Sequence, residues 1–223
     1  MKRVHILVEG QTEETFVGEV LAPHLLGLGI FLRPIIASTK RVKSGIKFKG
    51  GVTSYPRVKR ELLQLAGDTS ASAITTMIDY YRLPADFPGA STLPSGDCYR
   101  RVEHLQQALQ VDIGSSRLIP YYSLHEFEAL ILTAPDQIEA TLPGRRVAAE
   151  LAGAVSTVGS PEKVNDGPET HPAARIARLA PSYRKPLHGP MIAARIGLAA
   201  MRRQCPHFDR WVTRLEALDS AGS

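Results

Sequence analysis

Residues Arg3 to Val8 form a β-branched, leucine-rich run that is too short for a helix and is stopped by Gly10, so it reads as a short buried strand. Phe16, Val17, Val20 and Leu21 then recur at helical spacing up to Pro23, and Thr12 can cap that helix. The pattern repeats. A second strand is expected over Phe31 to Ser38, and a polar loop containing KSGIKFKGG follows. A helix over Tyr55 to Leu65 places Val58, Leu62 and Leu65 on one face. Ala73 to Ile78 reads as a third strand ending in Asp79, and a Pro/Gly-rich loop runs from Leu83 to Gly96. Tyr99 to Leu109 reads as a helix and Arg117 to Tyr122 as a fourth strand. Strands alternating with helices imply an α/β fold with a mainly parallel central sheet flanked by helices.

Beyond about residue 135 strand patterns fade. Asn165 to His171 is rich in turn formers, and a helical stretch covers about Pro190 to Gln204. Phe208 and Trp211 are expected to anchor a last helix. The expected organisation is an α/β core over 1–135, a mostly helical C-terminal extension over 136–218 packed on it, and a short disordered tail over 219–223.

The 223 residues are 43% hydrophobic and 22% charged, enough to bury a core without disulfides. Cys98 and Cys205 lie far apart, in no metal-ligand spacing. There is no apolar stretch of bilayer length and no secretory pattern, so a cytoplasmic location away from membranes is expected. The net charge is +5, unevenly spread: Ala22 to Arg60 holds nine Lys/Arg and no acid, and His171 to Arg214 holds nine against Asp209 alone. Basic segments around a more acidic centre suit contact with a polyanion such as nucleic acid, or are simply solvated surface. Lys43, Lys47, Lys49, Arg175, Arg184, His188 and Arg202 are the candidates for backbone contacts.

The acids fall in telling places. Glu9 follows the first strand, Asp79 ends the third, and Glu126 and Glu128 follow the fourth. In an open parallel sheet these are the carboxyl ends, where sites form. Clustered carboxylates repel unless a cation neutralises them, and oxygen-only ligands favour Mg²⁺ or Mn²⁺. Simpler readings exist. Glu13 and Glu14 suit the first turn of any helix, Asp79 can cap a turn, and Glu126 and Glu128 would point to nearly opposite sides of a helix. Gly10 is expected to free the backbone to turn while Glu9 faces a metal. His5 and His125 read as packing residues.

VEGQTEETFV, GGVTSYPRVKREL, TTMIDYYRLPADFPG, IPYYSLHEFEALI, SPEKVNDGPETHPAARI, PSYRKPLHG and RRQCPHFDRW occur in order. Through them the chain resembles, almost end to end, a bacterial domain-of-unknown-function family with a Toprim-like, Rossmannoid core. Toprim domains carry a glutamate after the first strand, an Asp-x-Asp pair and a later acid, bind Mg²⁺, and act on phosphodiester bonds. The resemblance implies Glu9 as the first glutamate, Glu13 as a second acid, and Asp79 as the first member of the pair. It implies Glu128, with Glu126 as rival, as the later acid, and Lys185 as a lysine that stabilises the transition state. Glu9, Asp79, Glu126 and Glu128 would hold Mg²⁺ or Mn²⁺. The expected activity is that of a nuclease, acting with an ATPase partner in phage defence or genome maintenance. One departure is plain: the second Asp of the pair is Tyr81 here, so Glu126, Asp86 or Glu169 substitutes, or fewer ligands serve, or the module is catalytically degenerate and regulatory.

Overall fold

The structure is a computed structural model that describes residues 1–38, 52, 54–142, 146–164 and 167–220. β1 (Lys2–Val8) leads into α1 (Gln11–Phe16), a π-helical turn (Val17–Leu21) and α2 (Ala22–Leu26), which run on without a break. Next come β2 (Ile30–Ile36), α3 (Tyr55–Gly67), β3 (Ala73–Asp79) and α4 (Cys98–Ile113). β4 (Leu118–Ile119), β5 (Tyr122–Ser123) and α5 (Glu128–Ile131) follow. The rest of the described chain is helical: α6 (Pro135–Thr141), α7 (Val147–Val158), a 3₁₀ turn (Pro161–Lys163), α8 (Pro172–Leu179), α9 (Lys185–Ile196), α10 (Leu198–Gln204) and α11 (Pro206–Ser220). The last helix takes in Asp219 and Ser220, while 221–223 lie outside the described residues.

The sheet runs β2-β1-β3-β4, with β5 also on β3, and every pairing is parallel. The expected α/β architecture with helices on both faces is what forms. Val8 lies beside Ile36 and Met77, and Asp79 beside Ser123, so β1, β3 and β5 end along one edge. Central β1 is buried on both faces from Val4 onward, which is why Val4, Ile6, Leu7 and Val8 are apolar. Val4, Ile6 and Val8 join a core with Phe16, Leu21, Ile192, Phe208 and Trp211. Leu7 joins a second core with Val58 and Leu62 of α3 and Val102, Leu105 and Leu109 of α4.

Three local expectations are corrected. Thr12 does not cap α1: Gly10 stands at the N-cap with no side-chain hydrogen bond, and Thr12 is buried inside the first turn. Gly10 is not in a glycine-only conformation either. Its φ of −165° is extended, and a Cβ there would meet Glu13 Oε2 at 3.5 Å, an ordinary contact. The first helix does not stop at Pro23. The Ala22 N–H reaches back five residues to the Val17 carbonyl, and this wide turn absorbs the mismatch caused by a proline that has no N–H to donate.

The fourth strand is split by Pro120. Thr76, fully buried in β3, bridges the break: its hydroxyl donates to the Tyr121 carbonyl at 2.7 Å and accepts from the Tyr121 N–H at 2.8 Å. A side chain thus supplies the pairing that the ladder loses at a proline.

Candidate functional site

The three strand ends meet as expected, and backbone amides fix their acids. The Asp79 N–H donates to Glu9 Oε2 at 2.9 Å, and the Phe127 N–H donates to Asp79 Oδ1 at 3.0 Å. Each carboxylate therefore has one oxygen held by the main chain of a neighbouring strand end. The turn that presents Phe127 is strained: His125 sits at φ 61°, a left-handed conformation unfavourable for a side chain with a Cβ. Its carbonyl accepts from the Tyr81 N–H at 2.7 Å, which ties the β3 and β5 turns together.

That turn sends its two glutamates to different places. Glu128, with no exposed surface, joins Glu9 and Asp79. Glu126 instead accepts from Ala173 N–H at the start of α8 and pairs with His171 Nδ1 at 2.7 Å. Of the two, Glu128 is the one that stands in the cluster. Glu13, one turn into α1, is buried there as well.

At the centre is Lys185, the first residue of α9. Its Nζ lies 2.9 Å from Asp79 Oδ2, 3.1 Å from Glu128 Oε2 and 3.5 Å from Glu13 Oε1. A lysine at a helix N-terminus opposes the macrodipole, so these acids are what make the placement favourable. Gly189, one turn further on, lets α9 come close: a Cβ would stand 3.0 Å from Phe127 Cε1, 3.3 Å from Thr12 Cγ2 and 3.4 Å from the Tyr183 hydroxyl. That hydroxyl donates to Glu128 Oε1 at 3.1 Å.

Charge is unbalanced. Glu9, Glu13, Asp79 and Glu128 face one ammonium. Burial, reinforced by the neighbouring carboxylates, raises the pKa of Glu9, Asp79 and Glu128 above the ordinary carboxylate range, and for Asp79 well above it. Burial works against the Lys185 ammonium, but Asp79, Glu128 and Glu13 outweigh it and hold its pKa well above the usual lysine value. Burial and the adjacent Glu128 likewise raise the Tyr183 phenol, which stays a donor. Two buried oxygens, Glu13 Oε1 and Glu128 Oε2, make no hydrogen bond.

The remaining candidates lie elsewhere. Tyr81 does not enter the cluster; it stacks on His171 with ring centroids 4.4 Å apart, and Arg82 covers it at 5.1 Å. Asp86 is exposed and accepts from the Tyr55 N–H at the start of α3, and Glu169 is exposed, so neither supplies the missing second aspartate. Arg202 pairs with Asp209 and Glu216, each at 2.5 Å, and so ties α10 to α11. The Arg175 Nε donates to the Thr170 carbonyl at 2.6 Å, and His188 Nδ1 accepts from the Arg184 N–H at 2.9 Å. Lys43, Lys47 and Lys49 lie outside the described residues, as do Asn165 and Asp166 of the turn-rich loop. His5 is a buried packing residue whose Nε2 pairs with Asp68 at 2.9 Å, while its Nδ1 is buried without a hydrogen bond.

Residue-level reading missed Tyr183 and Glu162. Tyr183 adjoins Lys185 in PSYRKPLHG but carries no periodicity of its own. Glu162 is buried, and its carboxylate accepts from the His207 and Phe208 N–H groups at the start of α11. That is a structural cap, with no signal at such sequence distance.

Oxygen donors converge here from three strand ends and α1, and two of the buried oxygens are without a hydrogen bond, the donor chemistry that a hard divalent cation takes. As they stand around the ammonium, no three His, Cys, Asp or Glu side chains among the described residues are closed into a metal-holding group. No helix among the described residues is long and apolar enough to cross a membrane. No curated protein and no solved structure matches the chain. The family described as Domain of unknown function (DUF4276) matches residues 8–216, a span that takes in Glu9, Glu13, Asp79, Glu128 and Lys185; the chain belongs to that family.

Proposed function

We propose that the chain is a Toprim-like, Mg²⁺- or Mn²⁺-dependent phosphodiesterase acting on nucleic acid. The observation that carries this reading is the convergence of Glu9, Asp79 and Glu128 from three parallel strand ends, with Glu13 and Lys185, at one edge of the sheet. Glu9, Asp79 and Glu128 would hold the ion, which when bound polarises a phosphate and makes a water acidic enough to attack it. The protein's own part is positional. Backbone amides of Asp79 and Phe127 pre-orient the Glu9 and Asp79 carboxylates, and Tyr183 orients Glu128. Lys185 provides a charge that stabilises the transferring phosphoryl group. The basic stretches, Lys43, Lys47 and Lys49 among them, would follow the nucleic-acid backbone without reading sequence. An ATPase partner and a role in phage defence belong to the same proposal.

The test is cleavage of DNA and RNA with Mg²⁺ or Mn²⁺ by the full chain and by Glu9→Gln. The variant is expected to lose about a hundredfold or more, because ligand loss removes several kcal/mol of charge stabilisation at about 1.4 kcal/mol per tenfold. Cleavage that persists in Glu9→Gln would refute this site. The stacking of Tyr81 on His171 favours a second reading, a degenerate module that binds nucleic acid or an ATPase and regulates it. Nucleic-acid binding with no cleavage in any divalent metal would select that reading.

A further inference from the structure

The Lys185 side chain keeps 30% of its surface exposed, while the acids it pairs with are sealed: Asp79 8%, Glu13 3% and Glu128 0%. Its side chain thus has an open flank that the carboxylates lack. It also stands at the point on which their oxygens converge. Glu13 Oε1 and Glu128 Oε2, both deeply buried, have the Lys185 ammonium at 3.5 and 3.1 Å and no other polar partner, so moving the ammonium away leaves both oxygens open to another cation. We propose that Lys185 is the resident counter-cation of the metal-free site and competes with the divalent ion for Asp79, Glu13 and Glu128. The inference rests on the metal-site reading above. Two cations cannot share these oxygens at 3 Å without strong repulsion. Metal entry therefore turns Lys185 outward along its exposed side, where an incoming phosphate lies within its reach. One exchange loads the metal and frees the lysine for substrate. Lys185 also sets the metal affinity, holding it below what the carboxylates alone would give.

The experiment is Mn²⁺ binding to the full chain, followed by electron paramagnetic resonance of free Mn²⁺ at one pH, for wild type, Lys185→Met and Lys185→Arg. Lys185→Met is expected to bind at least about tenfold tighter than wild type, since it removes one close unit charge, and Lys185→Arg to stay near wild type. A measurement on the unaltered protein guards against misfolding of a variant. Reductive methylation of Lys185, read by mass spectrometry, is expected to speed up several-fold on Mn²⁺ saturation. Equal or weaker Mn²⁺ binding by folded Lys185→Met, or methylation unchanged by bound Mn²⁺, would overturn the exchange and leave the metal site standing. If neither wild type nor Lys185→Met binds Mn²⁺, the metal-site reading itself falls.

Discussion

Glu128 and Glu126 differ by two positions and have different fates, and the residue that separates them is Tyr183. Its hydroxyl holds Glu128 Oε1, leaving Oε2 toward Lys185, while Glu126 is drawn away to His171 and the start of α8. Tyr183→Phe keeps the ring and removes only that bond. We expect it to fold and to weaken Mn²⁺ binding about tenfold, the usual cost of losing a residue that orients a ligand; titration of Mn²⁺ into the variant checks this. Affinity equal to wild type would mean Glu128 needs no orienting. Glu9 and Asp79 were legible in the sequence because each closes a strand-like run, whereas Glu13 and the preference for Glu128 came from the family resemblance. The Tyr183–Glu128 and Lys185–Asp79 contacts were not legible, since they join residues 55 and 106 positions apart and leave no local pattern.

At the scale of elements, the strands were readable wherever burial on both faces produced an apolar run. The breaks were not, because they depend on partners. Arg117 to Tyr122 reads as one strand, yet Pro120 divides it into β4 and β5, and Thr76 bridges the division at Tyr121. Thr76→Val keeps the shape but leaves the Tyr121 N–H and carbonyl without that partner in the core. We expect a loss of about 2–4 kcal/mol in chemical denaturation, from two buried polar groups left unpaired. A loss below about 0.5 kcal/mol would show that neighbouring strands or water take over. The same logic of close approach governs α9. Gly189 carries no turn signal, but its bare backbone lets the helix reach Thr12 and Phe127 and so delivers Lys185 to the strand ends. The helical character of 190–204 was visible from periodicity; its extension back to Lys185, and the break at Gly197, were not.

For the whole molecule, the C-terminal helices share one core with β1. Trp211 stacks on Tyr121 at 4.2 Å and donates to the Thr75 hydroxyl at 2.8 Å, so the expected anchor of the last helix reaches β3. His207, beside it, is buried at 5% exposure, stacks on Tyr121, and its Nε2 lies 3.1 Å from the Tyr122 carbonyl. Burial lowers its pKa to about 4 from an ordinary 6.5. The folded state then binds fewer protons than the unfolded state between those values, so stability from this group is full above about pH 6.5 and is lost as pH falls toward 4. Glu162, also facing His207, has its pKa raised by burial and acts in the opposite sense, with stability lost as pH rises through its folded value. Comparing wild type with His207→Gln isolates the histidine. The stability difference between them is expected to change by about 3 kcal/mol from pH 6.5 to 4 in urea titrations. A pH-independent difference would mean that His207 is not held neutral by burial.

The central claim is that carboxylates from three strand ends form a divalent-cation site. Anomalous diffraction from crystals of the full chain soaked in Mn²⁺ tests it most directly. The account predicts a peak among Glu9, Asp79 and Glu128, with Lys185 withdrawn from Asp79. Saturating Mn²⁺ with no peak at that edge, and Lys185 still paired with Asp79, would contradict it.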